Sequence, residues 1–362
     1  MSVNEERLST AVSSRTDEVL WGCLRFVVTG ESPRVEGGWS RGQLLERATR
    51  LHLRPIVYAA LPEQFPELNQ VARQRRIRNI VMTDEMLRVV AACAARGIRL
   101  VPLKGVALAN TVYPSPTLRF FDDLDLLVEP EHSAEALQII HKLGYKPHPR
   151  GSADWHHALP QTHPKHGTTI ELHTDLTRRY GHEDWPLDGV LTRLQSAEIQ
   201  GQTVEILSDE DALIHTAIHA RHHLFEKATF LLDSALLIAR GGYDVGRVRR
   251  AGALLPFAYI VEILHDHNMI DPASTVPIDD WRLTVARQVG AWETFAPLAE
   301  PLRSGALPKL VELGLMDSLG DALTVGRALL LPDDAFVADK YDSRLQRLTA
   351  RIGLAGRQIL SR

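Results

Sequence analysis

Two aspartates, Asp123 and Asp125, have the residue type and spacing best suited to chemistry in this chain. They begin the short run 123–128, whose remaining residues are apolar and which predicts a β-strand. Because side chains alternate across a strand, both carboxylates project from one face and Leu124 from the other. Paired carboxylates suit a hard divalent cation, which prefers oxygen ligands and offsets their mutual repulsion. By spacing alone, a solvated strand face is an equally good interpretation.

A strand and a helix are predicted just before these aspartates. Residues 99–103 form a short apolar run typical of a buried strand, and residues 105–113 follow a helical pattern that breaks at Pro114. Lys104 and Gly105 therefore begin a helix, where free backbone amides and a partial positive charge favour phosphate oxygens. Gly105 allows a close backbone approach, and Lys104 adds a point charge. This corner is a candidate phosphate-binding site.

The order of these elements resembles the DNA polymerase β-like nucleotidyltransferase superfamily. More narrowly, the chain resembles the bacterial family usually described as uncharacterised nucleotidyltransferases, whose signature runs LKG, then YP, then R-x-x-x-D-x-D-L-L-V. The matching residues are Leu103-Lys104-Gly105, Tyr113-Pro114, Arg119, Asp123 and Asp125-Leu126-Leu127-Val128. The resemblance implies an α/β (α+β) fold, with a polymerase β-like core, a small mixed sheet, and flanking N- and C-terminal helical regions.

The resemblance also implies a site and a reaction. In the superfamily the Asp-x-Asp pair holds divalent cations, Mg²⁺ or Mn²⁺, and a third carboxylate on a neighbouring strand completes the site. Glu171 is our candidate for that role, since Ile170-Glu171-Leu172-His173 matches the E-L-H strand of the family; an exposed strand glutamate is the alternative. The implied reaction moves a nucleoside monophosphate from an NTP to an acceptor hydroxyl or phosphate and releases pyrophosphate.

Four residues are candidates for binding the nucleotide: Lys104, Gly105, Arg119 and His173. Arg119 would clamp a phosphate, and an arginine on a surface loop is the alternative. Superfamily members usually carry Gly-Ser at the corner where this chain has Lys104-Gly105, so the familiar serine contact to phosphate is missing. Intact carboxylates favour an enzyme, whereas the missing Gly-Ser favours a catalytically silent nucleotide- or partner-binding protein on the same fold.

Composition narrows the class of protein and acceptor. The 362 residues are 44% hydrophobic and 24% charged, which is typical of a soluble globular chain with more than one domain. The net charge of −4 favours a small-molecule, peptide or protein acceptor over long nucleic acid. The only cysteines, Cys23 and Cys93, lack metal-site spacing, which favours a reducing compartment. We expect a cytoplasmic protein without a membrane span, since no signal-peptide pattern or long apolar run is present.

Hydrophobic periodicity divides the chain into three regions. Residues 1–97 follow helical patterns, residues 98–207 alternate between strands and helices, and residues 208–362 are helical again. We therefore predict an N-terminal helical region, a nucleotidyltransferase core and a C-terminal helical domain. Within the core we expect a helix over 131–143, a loop or loosely ordered hairpin over 147–168, and strands over 168–173 and 201–207.

Histidines in the C-terminal region allow two further interpretations. His215, His219 and His222 share one face of a predicted helix, a spacing that suits zinc, although packing against the active site is the less demanding account. The pair His265-Asp266 resembles that of metal-dependent phosphohydrolases, and with His215, His219 and Asp233 it provides a rival hydrolase site. That rival requires these residues to converge in one helical bundle.

Overall fold

The computed structural model describes residues 3–147, 160–177, 185–223 and 225–271, with scattered positions between 283 and 323. Its helices are α1 (Val3–Thr29), α2 (Arg41–Arg50), α3 (Arg54–Ala60), α4 (Asn69–Ala94), α5 (Lys104–Thr111), α6 (Ser133–Lys142), α7 (Leu187–Leu191), α8 (Asp209–His222), α9 (Ala228–Arg240), α10 (Val245–Arg250) and α11 (Leu254–Asp266). Its strands are β1 (Leu100–Pro102), β2 (Asp123–Val128), β3 (Lys146–Pro147), β4 (Gln161–Thr162), β5 (Thr169–His173), β6 (Gln195–Ile199) and β7 (Gln202–Ile206). Among the described residues, no helix is long and apolar enough to cross a membrane.

A five-stranded mixed sheet forms the centre of the fold, with strand order β1-β2-β5-β4-β3. Strand β2 runs antiparallel to β1 and parallel to β5. The predicted mixed α/β fold with a small sheet is therefore confirmed. Strands β6 and β7 form a separate antiparallel hairpin. The sequence predicted only β7, because β6 is largely polar and exposed and lacks a clear apolar alternation.

Several predicted elements are confirmed near their expected bounds. Ser208 caps α8, since its side chain accepts a hydrogen bond from the backbone amide of Asp211. The segment predicted as a loop or loose hairpin, 147–168, includes the last residue of β3 and the whole of β4, and these two strands pair antiparallel. Residues 148–159 between these strands lie outside the described residues, as do almost all of the helices predicted after residue 271.

The sheet separates two hydrophobic cores. On one face, Leu124 and Leu126 of β2 pack with Ile170 and Leu172 of β5 and with apolar side chains of α4 and α6. On the other face, Leu127 joins a larger core built from α1, α3, α8, α9 and α11. Burying each of these leucines contributes roughly 2 kcal/mol. Because Asp123 and Asp125 alternate with Leu124 and Leu126, the burial pattern directs both carboxylates toward the face covered by the larger core.

Candidate active site

The register of β2 and β5 brings two of the three predicted carboxylates together, Asp125 and Glu171. Asp125 lies directly opposite Glu171 in the parallel pair, and Asp123 lies opposite Thr169. Asp125 is only 6% exposed, whereas Asp123 and Glu171 are partly buried. Ligand atoms of Asp125, Glu171 and His173 lie within 4.8 Å of one another, and in the described part of the chain this is the one such group able to share a metal ion. Asp123 lies two residues before Asp125 on the same strand and is not a member of this group.

Two side chains, those of Lys104 and His173, contact one carboxylate oxygen of Asp125. Lys104 Nζ donates to Asp125 Oδ1 over 3.0 Å, and His173 Nε2 lies 2.7 Å from the same oxygen. Burial raises the pKa of Asp125, but the Lys104 charge and the His173 hydrogen bond outweigh it and hold that pKa well below its usual range. An ionised carboxylate only accepts hydrogen bonds, so His173 Nε2 carries the proton here. Burial lowers the pKa of His173, which favours its neutral form.

Lys104 is held in an unusual backbone conformation. Its φ of 46° lies in the left-handed region, which costs a non-glycine residue roughly 1–2 kcal/mol. The preceding residue, Leu103, is extended, so the chain turns sharply at Lys104 into α5. Strained residues of this kind concentrate at functional sites, where the surrounding structure fixes them. The strained turn and the Asp125 ion pair together place the ammonium group beside the carboxylates.

Gly105 packs closely against Phe121. A Cβ atom built at Gly105 would lie 2.5 Å from Phe121 Cβ and 3.1 Å from its Cγ. The sequence interpretation gave this glycine a close approach to phosphate. In the structure Gly105 closely approaches the side chain of Phe121, two residues before β2, so the glycine positions α5 against the loop that leads into β2. Its contact with phosphate stays a prediction.

A Gly105→Ala substitution will destabilise the protein by roughly 1–3 kcal/mol, the usual cost of overpacking. Without a clash, replacing a helical glycine by alanine stabilises a protein by up to about 1 kcal/mol. The clash with Phe121 therefore turns an expected gain in stability into a loss. The matched control is Gly42→Ala in α2, where a new Cβ would lie 4.0 Å from Ser40 Oγ, an ordinary van der Waals distance. Denaturant unfolding of both variants checks the difference; equal stabilities would contradict it.

Arg119 is buried in an ion pair rather than exposed at the carboxylates. The residue is 7% exposed, and its guanidinium makes two hydrogen bonds to Asp233 of α9, from Nε over 2.7 Å and from Nη2 over 2.8 Å. The Tyr113 hydroxyl donates to the same carboxylate over 2.7 Å. Arg119 also donates to the backbone oxygen of Phe120. The arginine therefore connects the turn before β2 to α9, a contact that the phosphate-clamp interpretation did not foresee.

The histidines of α8 lie near the carboxylates. Burial lowers the pKa of His215 and of His219 well below the usual value, and the charge of Lys104 lowers both further. Their ring centroids are 6.1 Å apart. Within the described residues, His215, His219 and His222 do not form a group with metal-ligand spacing. Since a neutral imidazole can also bind zinc, it is the missing metal-ligand group, and not the lowered pKa values, that favours the packing interpretation.

The residues of the rival hydrolase site are not gathered at one metal position. His265 and Asp266 lie at the end of α11 with side chains 42% and 43% exposed. Asp233 is instead buried and bonded to Arg119 and Tyr113. Across the described ranges, no metal-ligand group combines His265 or Asp266 with the α8 histidines.

Lys227 is a charged neighbour of Asp123 that sequence reasoning missed. It is exposed and immediately precedes α9. Burial and the negative charge of Asp125 raise the pKa of Asp123 to about 6, against the opposing positive charges of Lys104 and Lys227. An isolated lysine before a helix carries no sequence signal.

Asp122, the other acidic neighbour, is 60% exposed at its side chain and pairs with Arg75 over 3.1 Å.

An Asp123→Asn substitution will stabilise the metal-free protein at neutral and alkaline pH. The folded state raises the Asp123 pKa from 3.8 to about 6, so it binds this proton more tightly than the unfolded state does. Ionisation of Asp123 therefore costs stability as the pH rises through that window, and asparagine removes the cost. Thermal unfolding in EDTA checks this: the variant should melt above wild type at pH 8, with a smaller difference at pH 4. A lower melting temperature at pH 8 would refute it.

Comparison with known proteins identifies the family. A family model described as uncharacterised nucleotidyltransferase matches residues 38–266, which include every site residue above. No curated protein matches the chain.

Similar solved structures include the solution structure of the antibiotic-resistance factor ANT(2'')-Ia, with 15% identity, a TM-score of 0.37, and coverage of 52% of this chain and 99% of that chain. A crystal structure of ANT(2'')-Ia with adenylyl-2''-tobramycin has 16% identity, a TM-score of 0.36, and coverage of 48% and 97%. An antigenic nucleotidyltransferase-like protein from Paracoccidioides brasiliensis has 16% identity, a TM-score of 0.35, and coverage of 56% and 94%. Because the family model covers well over half of the 362 residues, the chain belongs to the family of uncharacterised nucleotidyltransferases.

Proposed function

We propose that this protein transfers a nucleoside monophosphate from an NTP to an acceptor hydroxyl or phosphate, with release of pyrophosphate, in a metal-dependent reaction. The observation that carries the proposal is the strand register, which sets Asp125 opposite Glu171 and leaves Asp123 two residues earlier on the same face. Carboxylate oxygens are the ligands that Mg²⁺ and Mn²⁺ prefer. The residues fit such a cation, since the ligand atoms of Asp125, Glu171 and His173 lie within 4.8 Å of one another.

Two lysines supply positive charge near the carboxylates. Lys104 is the first residue of α5, and its ammonium group lies 3.0 Å from Asp125 Oδ1. Exposed Lys227 acts electrostatically on Asp123. Divalent cations, when bound, supply neutralisation of the phosphates and stabilise the attacking and leaving oxygens. Lys104 and Lys227 are the residues that we propose hold the triphosphate, and Arg119 fixes the turn that leads to Asp123.

The proposed class of acceptor rests on the overall charge of the chain. A protein that binds long nucleic acid neutralises many phosphates with clustered lysine and arginine side chains. This chain carries 41 basic and 45 acidic residues, so its overall charge does not favour a polyanion. We therefore propose a small molecule, a peptide or a protein as the acceptor.

Nucleotide binding tests the proposal. Calorimetry with each of the four NTPs, with and without Mg²⁺ or Mn²⁺, compares the wild type with the Asp123→Asn, Asp125→Asn double variant. We expect binding that requires the metal and is lost in the double variant. The matched control is Asp122→Asn, which removes an adjacent carboxylate that pairs with Arg75 and should leave binding unchanged. Binding that is indifferent to both the metal and the two aspartates would overturn the assignment.

A catalytically silent binding protein is the second candidate. It is favoured by the Lys104-Gly105 corner, where the lysine is engaged by Asp125 and the glycine is packed against Phe121. The two functions differ in one readout, since only the transferase releases pyrophosphate from the bound nucleotide. Metal-dependent binding without pyrophosphate release, across a panel of hydroxyl acceptors, would favour the silent protein.

A further inference from the structure

We propose that His173 is a nitrogen ligand of the cation at this site, so that the site prefers a first-row transition ion such as Mn²⁺ over Mg²⁺. This inference rests on the proposed function, because it concerns the same carboxylates. It extends that function by adding a ligand of a different chemical type. It also selects the class of metal.

The ligand atoms are spaced as one cation requires. His173 Nε2 lies 2.7 Å from Asp125 Oδ1, and the ligand atoms of Asp125, Glu171 and His173 all lie within 4.8 Å of one another. Adjacent ligands in an octahedral sphere with bonds of about 2.1 Å are about 3 Å apart, and opposite ligands are about 4.2 Å apart. One ion therefore fits among these atoms if it replaces the present contacts of His173 Nε2 and Lys104 Nζ with Asp125 Oδ1.

The backbone directs His173 to this position. His173 follows Glu171 by two residues on β5, so both side chains lie on the face of the sheet that carries Asp125. The imidazole is 2% exposed and is therefore held by its surroundings. In the metal-free protein Nε2 carries the proton that it donates to Asp125. Ligation places that proton on Nδ1 instead, which is a change of tautomer of the neutral ring and not a change of charge.

The combination of carboxylate oxygens with an imidazole nitrogen favours a transition ion over Mg²⁺. Mg²⁺ is a hard ion that favours oxygen ligands and retains water, and it gains little from an imidazole. First-row transition ions accept imidazole nitrogen together with carboxylate oxygen, and their affinities for such sites rise along the Irving–Williams order. A site formed by Asp125, Glu171 and His173 should therefore bind Mn²⁺ more tightly than Mg²⁺, because one of its three ligands is a nitrogen.

Pulsed electron paramagnetic resonance on Mn²⁺ bound to the full-length protein tests the inference directly. Inorganic tripolyphosphate, which contains no nitrogen, replaces the NTP so that any ¹⁴N coupling comes from the protein. We expect a directly coordinated ¹⁴N signal in wild type and its loss in His173→Gln. The glutamine amide can still donate to Asp125, so a role limited to positioning that carboxylate would survive the substitution. His141→Gln on α6, which removes an imidazole bonded to Gln161, is the matched control and should keep the signal.

Metal affinities provide the second readout. Removing a partner that merely orients a ligand costs 10–100-fold in metal affinity, so losing the ligand itself should lower Mn²⁺ affinity by at least about tenfold. Mg²⁺ affinity should change less, and the preference for Mn²⁺ should disappear. Bound Mn²⁺ without ¹⁴N coupling, or coupling that persists in His173→Gln, would overturn this inference while leaving the proposed function intact. Absence of Mn²⁺ binding to wild type would also overturn it. Absence of metal-dependent NTP binding by the wild type is the separate result that defeats the proposed function.

Discussion

Glu171→Gln will lower the rate of nucleotidyl transfer by roughly 10²–10³-fold, the usual loss when one preorganised electrostatic group is removed from an active site. Glu171 lies opposite Asp125 in the parallel pair, so its carboxylate supplies the third negative group of the proposed metal site. Glutamine keeps the size and shape of the side chain but loses the charge. The measurement is pyrophosphate release from the bound NTP at saturating metal, with water or added hydroxyl compounds as the acceptor.

The control for this prediction is another strand glutamate. Glu205 of β7 has a side chain 48% exposed and pairs with Arg99 over 3.2 Å, away from the carboxylate face of the mixed sheet. Glu205→Gln should therefore leave the rate unchanged, which separates the loss of a site carboxylate from a general loss of negative charge. A full rate in Glu171→Gln would restore the interpretation of Glu171 as an ordinary partly exposed strand residue. It would also remove the third carboxylate from the mechanism.

The parts of the fold that the sequence predicted are those encoded locally. In β2 the alternation of aspartate with leucine indicates a strand with one polar and one apolar face. Ser208, followed by three acidic residues, indicates the start of a helix. Strand β6 was missed because its exposed, polar residues carry no such alternation; its position depends on pairing with β7. Its formation is a matter of tertiary context, which a local pattern does not contain.

The composition of the site was predictable, but its contacts were not. The sequence motif supplied Asp123, Asp125 and Glu171 by residue type, whereas only the strand register shows which pair lies opposite. The ion pair between Arg119 and Asp233 joins residues 114 positions apart. A guanidinium has the same chemistry toward a carboxylate as toward a phosphate, so the residue type alone favoured neither partner.

That ion pair carries the largest expected effect on stability. Asp233→Ala will destabilise the protein by about 3–5 kcal/mol, because it leaves the buried guanidinium of Arg119 without its carboxylate partner. Asp233 is 2% exposed and also accepts a hydrogen bond from Tyr113, so water cannot readily replace it. The loss is a large fraction of the 5–15 kcal/mol typical of folded domains. Denaturant unfolding and the thermal midpoint measure it.

Two companion variants determine whether the penalty comes from an unpaired charge. Tyr113→Phe removes only one hydrogen bond to the carboxylate and should cost about 1.5–3 kcal/mol. In the double variant Arg119→Met, Asp233→Leu no charge remains to be buried, and apolar replacement of a buried pair is often neutral. We therefore expect the double variant to be more stable than Asp233→Ala alone. If the double variant instead loses as much as the two single substitutions added together, the pair acts through its specific hydrogen bonds. In that case holding the turn before Asp123 against α9 requires the arginine itself, and transfer activity should fall in parallel with stability.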